Sequence, residues 1–266
     1  MDIFSKFIYI VDIEHKRYAK ANLDLVYGNK ISNTKKYKII KESYKNLFYN
    51  LYEFVENPTL NLNQLEQKVN IKNEKVLLDA IKENRKIILI SAHYGNWEYI
   101  TSYISLKYKP TTMVGRILNN KYLNEDMEKN RENHNSKMLL KSNSAKGLIK
   151  ALKDDRIIGL AIDQHINLKK GKVVKFLGHN ASQVDSSARL AIKFNAVIIP
   201  VFFIQNKFRD YTIKFYEKLE PSDYNNDLQL ITQKEASIIS KQILEKPEIW
   251  FWQHRRFKEF HKYIYK

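Results

Sequence analysis

The stretch that most narrows what this chain can fold into is Lys86-Ile87-Ile88-Leu89-Ile90-Ser91-Ala92, followed at once by His93-Tyr94-Gly95-Asn96-Trp97-Glu98. An uninterrupted apolar, β-branched run of this length reads as a strand buried on both faces, the condition of a parallel strand covered by helices. Its carboxyl end, where open α/β sheets place their ligands, releases an imidazole and a carboxylate. On one continuous helix, five residues at about 100° each would set His93 and Glu98 roughly 140° apart, so a turn must intervene. Gly95 supplies one, and Asn96 is a natural N-cap for a helix from about Trp97 to Lys107. Glu98 then lies in the first turn, where the helix dipole favours a charged carboxylate. The expectation is a general base, His93, with Glu98 as the fixed anion that holds its tautomer and supports the imidazolium. A hydrogen-bonded structural histidine is the competing reading. The strand, glycine turn, capped helix and spaced acid together weigh against it.

The rest of the chain alternates in the way such a strand requires. Strands are expected at Lys86–Ser91, Thr111–Val114, Ile157–Ile162, Ala196–Ile204 and Tyr211–Phe215. Helices are expected at Glu74–Glu83, Trp97–Lys107, Lys121–Asn133, Ala145–Leu152, Asp185–Phe194 and Leu228–Leu244. This predicts an α/β fold, an αβα sandwich with a largely parallel central sheet. Ahead of it, residues from about 14 to 56 read as helical. Tyr37, Ile40, Tyr44, Leu47, Phe48, Leu51, Phe54 and Val55 form one apolar stripe, with Thr34 as cap and Pro58 as stop. Residues 57–73 read as a polar connection with a short helix or strand. One domain over 1–266 is expected, with residues 1–73 a mainly helical leading segment and 74–266 the α/β core.

Composition removes several kinds of function. The 266 residues contain no cysteine, which excludes disulfides, thiolate metal sites and a cysteine nucleophile. Seven glycines, none in a GxGxxG or Walker pattern, argue against nucleotide binding. No His, Asp and Glu set has metal-site spacing, and a serine triad lacks its GxSxG elbow. The longest apolar run, Ala196 to Ile204, falls far short of the ~20 residues that span a bilayer. Lysine and arginine number 46 against 29 acids, a formal charge of +17 that attracts anionic membranes, acidic proteins or nucleic acid. The basic residues are spread along the chain and no aromatic-basic nucleic-acid motif is present, so nucleic acid is not expected. Residues 3–11 are apolar and aromatic, and either lie in a membrane interface or pack on the core.

Other side chains are expected to share the His93 edge. Asp163 and Gln164 follow a second buried run, Ile157 to Ile162. Arg116 follows a third, Met113-Val114-Gly115, and Arg131 lies in the helix after it. Singly each has an ordinary explanation, such as a loop cap or an exposed helical ion pair. Together they give one sheet edge a base, two acids and two guanidinium groups. Near the end, Trp250-Phe251-Trp252-Gln253-His254-Arg255-Arg256-Phe257 is either a lipid- or phosphate-facing segment or an aromatic plug with its arginines in water.

These residues resemble a known family. The His-x4-Glu block AHYGNWE is similar to the first motif of the bacterial lipid A lauroyl/myristoyl acyltransferases, a branch of the glycerolipid acyltransferase superfamily. The likeness runs from about Tyr18 to Phe257 through YAKANLDLVYG, LAIDQH, VVKFLGHNASQVDSSARLAIKFNAVIIPVFF and PEIWFWQHRRFK. It implies that His93 is the catalytic base and Glu98 its charge partner. Arg131 matches the family's functional arginine and Asp163 a later acidic position, while Arg116 is a weaker, substrate-proximal match. It further implies an acyl carrier protein thioester as donor, a lipid A precursor as acceptor, no cofactor or metal, and peripheral attachment to the cytoplasmic face of the inner membrane. Family members carry an apolar anchoring segment at the start. Here either residues 3–11 are its reduced form or attachment rests on basic and aromatic surface, and another lipid acceptor or thioester hydrolysis would use the same residues.

Overall fold

The computed structural model describes residues 2–115, 121–141 and 144–266. In chain order the helices are α1 (Asp2–Val11), α2 (Ile13–Tyr27), α3 (Asn33–Glu56), α4 (Leu62–Glu66), α5 (Lys75–Lys82), α6 (Trp97–Lys107), α7 (Lys121–Arg131), α8 (Ser144–Lys153), α9 (Ser186–Phe194) and α10 (Leu228–Glu245). The strands are β1 (Val69–Lys72), β2 (Ile87–Ser91), β3 (Thr111–Gly115), β4 (Lys137–Leu140), β5 (Ile157–Ala161), β6 (Gly171–Phe176), β7 (His179–Val184), β8 (Val197–Lys207) and β9 (Asp210–Phe215). Seven strands form one sheet in the order β1-β9-β8-β2-β5-β3-β4, and β6 and β7 pair separately as an antiparallel hairpin against α10. Within the sheet only β8 and β9 run antiparallel; every other neighbouring pair is parallel. The expected α/β fold, with a helical segment ahead of a mostly parallel sheet, is what the chain adopts.

The period of two in β2 divides the core between the faces. Ile88 and Ile90 pack with α2, α8, α9, α10 and the Trp250–Phe257 segment, while Ile87 and Leu89 pack with α4, α5 and α6. All five residues of β2 are buried, as a central parallel strand requires. Strand β1 falls in the polar connection of residues 57–73, where a short helix or strand was expected, whereas β4, β6 and β7 were not among those expected. They are four to six residues long, and their buried apolar residues, such as Met138, Val174 and Phe176, stand singly between polar or partly exposed ones, so no long apolar run announces them.

Sheet topology creates one crevice. From β2 the chain passes through α6 to β3 on one side; from β5 it passes through α9 to β8 on the other. Neighbouring strands β2 and β5 therefore send their connections apart over opposite faces, the switch point at which doubly wound sheets bind ligands. Ser91 pairs with Ala161 in register, and Ile162 N–H donates to the Ser91 carbonyl (3.0 Å). The residues two places further on, His93 and Asp163, are thus brought abreast.

The leading helices differ in detail from expectation. Ser32, not Thr34, caps α3, accepting the Lys35 N–H through its hydroxyl. The apolar stripe is only partly internal: Ile40 and Tyr44 are buried, but Tyr37, Leu51 and Val55 are exposed. The inward face of the second half of α3 is polar, formed by Asn46, Asn50 and Glu53.

Candidate active site

The turn after β2 is built around Gly95, whose φ of +58° lies in the left-handed region. A Cβ there would stand 1.9 Å from the Phe203 carbonyl oxygen, so both conformation and space demand glycine. Gly95 N–H donates to the Ile249 carbonyl (2.9 Å) and Asn96 N–H to that of Phe203 (3.0 Å). From α3, the Asn46 and Asn50 amides donate to the Gly95 carbonyl at 3.2 and 2.6 Å. Asn96 stands at the N-cap position of α6, but its amide donates to Glu53 (2.6 Å) and caps nothing, contrary to expectation. Glu53 also accepts from the Tyr211 hydroxyl. Burial pushes the Glu53 carboxyl up to about 7, against the pull of those two donors and Lys68. Sequence reasoning missed Asn46, Asn50 and Glu53, although their i, i+4, i+7 spacing sets them on one helical face.

His93 projects from this turn with its ring edge-on to Trp97 (centroids 5.4 Å apart) and tilted on Phe251 (6.4 Å). Its Nδ1 lies 2.7 Å from Asp163 Oδ1, and its backbone N–H donates to Asp163 Oδ2 (3.1 Å). The indole N–H of Trp250 completes the set at Oδ2 (2.8 Å). Asp163 is wholly buried. Burial alone would raise its carboxyl, but His93, His254 and the Trp250 N–H outweigh that and hold it well below the usual carboxylate range. An ionised Asp163 accepts at Nδ1, which fixes the proton there and leaves Nε2 as the acceptor. The side-chain amide of Gln164 lies 3.3 Å from that Nε2.

Glu98 does not hold His93, and this corrects the expected pairing. Its carboxylate receives a two-pronged bond from Arg131, Nη2 to Oε1 at 2.6 Å and Nε to Oε2 at 3.0 Å, and a third from Trp97 Nε1 at 3.1 Å. Fork-to-fork geometry suits a guanidinium far better than an imidazole. Burial works to lower the Arg131 pKa, but Glu98 reverses it and the net shift is upward. Arg131 also lies over the Phe54 ring (5.7 Å). The structure thus brings His93 together with Asp163, and Glu98 with Arg131, the two pairs joined through Trp97. Arg116 lies outside the described residues.

The aromatic-basic segment near the end is the plug. Trp250, Trp252, Arg256 and Phe257 are fully buried, so Arg256 is not in water as that reading had it. The Arg256 guanidinium donates to the carbonyls of Ser182 and Gln164, lies over the Phe176 ring (4.3 Å), and is pushed down to about 10 by burial. Beside it, burial holds the His254 imidazole down to about 4. Among the described residues no group of three or more His, Cys, Asp or Glu could hold a metal ion, and no helix is long and apolar enough to cross a membrane.

An imidazole locked by a buried carboxylate at the switch point of an α/β sheet is the equipment of a general-base enzyme. Residues 2–259 match the family described as bacterial lipid A biosynthesis acyltransferase, and the chain belongs to that family. It is 28% identical over 186 residues to a Haemophilus influenzae lipid A biosynthesis acyltransferase, covering 68% of this chain and 59% of that protein. It is 23% identical over 242 residues to the lipid A biosynthesis palmitoleoyltransferase of Escherichia coli, covering 90% of this chain and 78% of that protein. A Shigella flexneri lipid A biosynthesis acyltransferase matches to the same extent.

Proposed function

We propose that this chain, acting as one acyltransferase domain, moves a fatty acyl group from an acyl carrier protein thioester to a hydroxyl of a lipid A precursor. The observation that carries the proposal is the 2.7 Å bond between His93 Nδ1 and buried Asp163, which leaves Nε2 ready to take a proton. His93 Nε2 removes the proton from the acceptor hydroxyl, and the oxygen attacks the thioester carbonyl carbon. The tetrahedral oxyanion collapses, expelling the carrier's thiolate, which takes the proton back from His93. Asp163 orients the ring and offsets the imidazolium charge while that proton is held. The first N–H groups of α6, set by the Gly95 turn, are the candidate donors to the oxyanion. Glu98 acts through Arg131, fixing a guanidinium near the start of α6; Arg116 is retained only as a substrate-proximal residue. A general base supplies about 10²–10⁴-fold, so positioning and oxyanion binding supply the rest.

Family membership and the +17 charge support both proposed substrates, an acidic carrier and a phosphorylated lipid, and a peripheral place on the cytoplasmic face of the inner membrane. Mass spectrometry of lipid A from cells with and without the protein tests the reading. A difference of one acyl group is expected, and it disappears with His93→Ala. Near-normal acylation by folded His93→Ala, or free fatty acid as the only product, refutes it.

A further inference from the structure

Gln164 takes no part in the transfer steps proposed for His93, yet its side chain reaches the atom that must accept the proton. The chain leaves β5 under tight restraint. Ile162 N–H donates to the Ser91 carbonyl, and Asp163 is held by His93 and Trp250. Beyond Gln164, His165 Nε2 lies 2.8 Å from Glu259 Oε2, and Ile166 N–H donates to the Ser182 hydroxyl (3.3 Å). The Gln164 carbonyl itself accepts from wholly buried Arg256 (3.3 Å). On this pinned backbone the half-buried side chain sets its amide nitrogen 3.3 Å from His93 Nε2. Because Asp163 keeps the ring proton on Nδ1, Nε2 accepts and the amide N–H donates. The bond is longer than the usual N–H donor distance of about 2.9–3.0 Å, so a substrate hydroxyl can take its place on Nε2.

We infer that Gln164 is a catalytic residue whose side-chain amide donates to the oxyanion of the acyl-transfer intermediate. When Nε2 takes the hydroxyl's proton it changes from acceptor to donor, and the amide N–H loses its partner there. At that moment negative charge collects on the former carbonyl oxygen of the thioester, one bond from the carbon that the hydroxyl oxygen attacks. The last torsion of a glutamine is broad, so a turn about it carries the N–H from Nε2 to that oxygen. The guanidinium groups of the site are engaged elsewhere. Arg131 gives Nε and Nη2 to Glu98, and Arg256 bonds the carbonyls of Ser182 and Gln164. A neutral amide also suits the place better than a cation, which would lie against the imidazolium formed in the same step. Gln164 thereby joins the first N–H groups of α6, so that the exits of β2 and β5 each contribute donors. The inference rests on His93 being the base of an acyl transfer.

The test is steady-state transfer from an acyl carrier protein thioester to a lipid A precursor by wild type, Gln164→Met and Gln164→Glu. Each is assayed at the pH of its highest rate, with thermal unfolding alongside. Methionine keeps the length of the side chain and removes the donor, so kcat is expected to fall about 10²–10³-fold with KM nearly unchanged. Glutamate keeps the shape, removes the N–H and sets a charge against the oxyanion, so its kcat falls at least as far. Both variants keep the wild-type melting temperature, because Arg256 bonds the backbone carbonyl and neither substitution removes it. A kcat for Gln164→Met within about tenfold of wild type, or above it, would overturn the inference, since an amide that only plugs the base leaves a faster enzyme when removed. Gln164→Glu outpacing Gln164→Met would make the amide oxygen the working group and also overturn it. So would a loss of rate that tracks a lowered melting temperature, which assigns Gln164 to the scaffold. Absence of transfer by the wild-type protein defeats the proposed function and this inference together. Transfer abolished by His93→Ala but indifferent to Gln164→Met removes the inference alone.

Discussion

Exchanging Asp163 for asparagine separates the two carboxylates that compete for the role of orienting His93. The carboxylate serves three donors: His93 Nδ1–H and N–H, and the Trp250 indole. In Asp163→Asn the amide oxygen still accepts from the His93 N–H and Trp250, which occupy the Oδ2 position. The amide NH₂ then faces Nδ1 and drives the ring proton to Nε2, the atom that must accept one. A base in the wrong tautomer loses about 10³–10⁴ in kcat, about 4–5 kcal/mol of barrier, with KM nearly unchanged. The fully buried Arg256 also loses a nearby anion. Removing one partner from buried charges costs about 3 kcal/mol, or roughly 6–12 °C in Tm for a chain of this size. Glu98→Gln leaves the imidazole's partner in place but strips Arg131 of its counter-charge. It should cost similar stability yet no more than about 10² in kcat, because it perturbs positioning and not proton transfer. Both variants are compared in steady-state transfer from an acyl carrier protein thioester to a lipid A precursor, with thermal unfolding alongside. A kcat within tenfold of wild type for Asp163→Asn, or a larger loss for Glu98→Gln, would refute the assignment.

Two further perturbations test the scaffold. Gly95→Ala must place a methyl group 1.9 Å from the Phe203 carbonyl oxygen at a φ of +58°, so a loss of about 3 kcal/mol or more is expected; an unchanged denaturant midpoint would show that the turn can relax. Glu235 is wholly buried in α10, and burial raises its pKa from 4.5 to about 8 against the pull of the neighbouring Ser187 hydroxyl. The unfolded chain releases that proton first, so stability is full below about pH 4.5 and is lost as pH rises to about 8, a cost on the order of 3 kcal/mol at pH 7. Glu235→Met is therefore expected to stabilise the protein at pH 7–8 and change little at pH 4; equal unfolding curves for the two proteins at both pH values would contradict this.

Much of the architecture was legible because burial leaves a periodic trace. The continuous runs before His93 and Asp163 marked β2 and β5, and each exit residue could be singled out. What periodicity does not encode is which strands are neighbours. Two other strands and 65 residues separate the end of β2 from the start of β5, and only the opposed crossovers through α6 and α9 bring their ends together. Glu98 looked like the partner of His93 because five residues of sequence are visible and a strand order is not. Arg131 then proved the better match for Glu98, two parallel N–H donors against a single ring nitrogen.

The polar face of α3 shows how the remaining half of the site could have been found. Asn46, Asn50 and Glu53 are all buried, and a buried amide or carboxyl is costly unless it is bonded. A helix that turns such a face inward needs a partner with unpaired backbone or side-chain groups, and regular strands and helices, whose backbone bonds are internal, do not provide one. A turn does. The Gly95 carbonyl and the Asn96 amide are groups of that kind, left over because the chain must reverse between β2 and α6. An inward stripe of amides and acid on a helix outside the sheet therefore points to a reversal held rigid from outside. In this molecule that reversal carries His93 into the crevice beside Asp163. The apolar stripe of α3 drew attention because such stripes usually mark the core, yet Leu51 and Val55 lie in water while the polar stripe beside them grips the site.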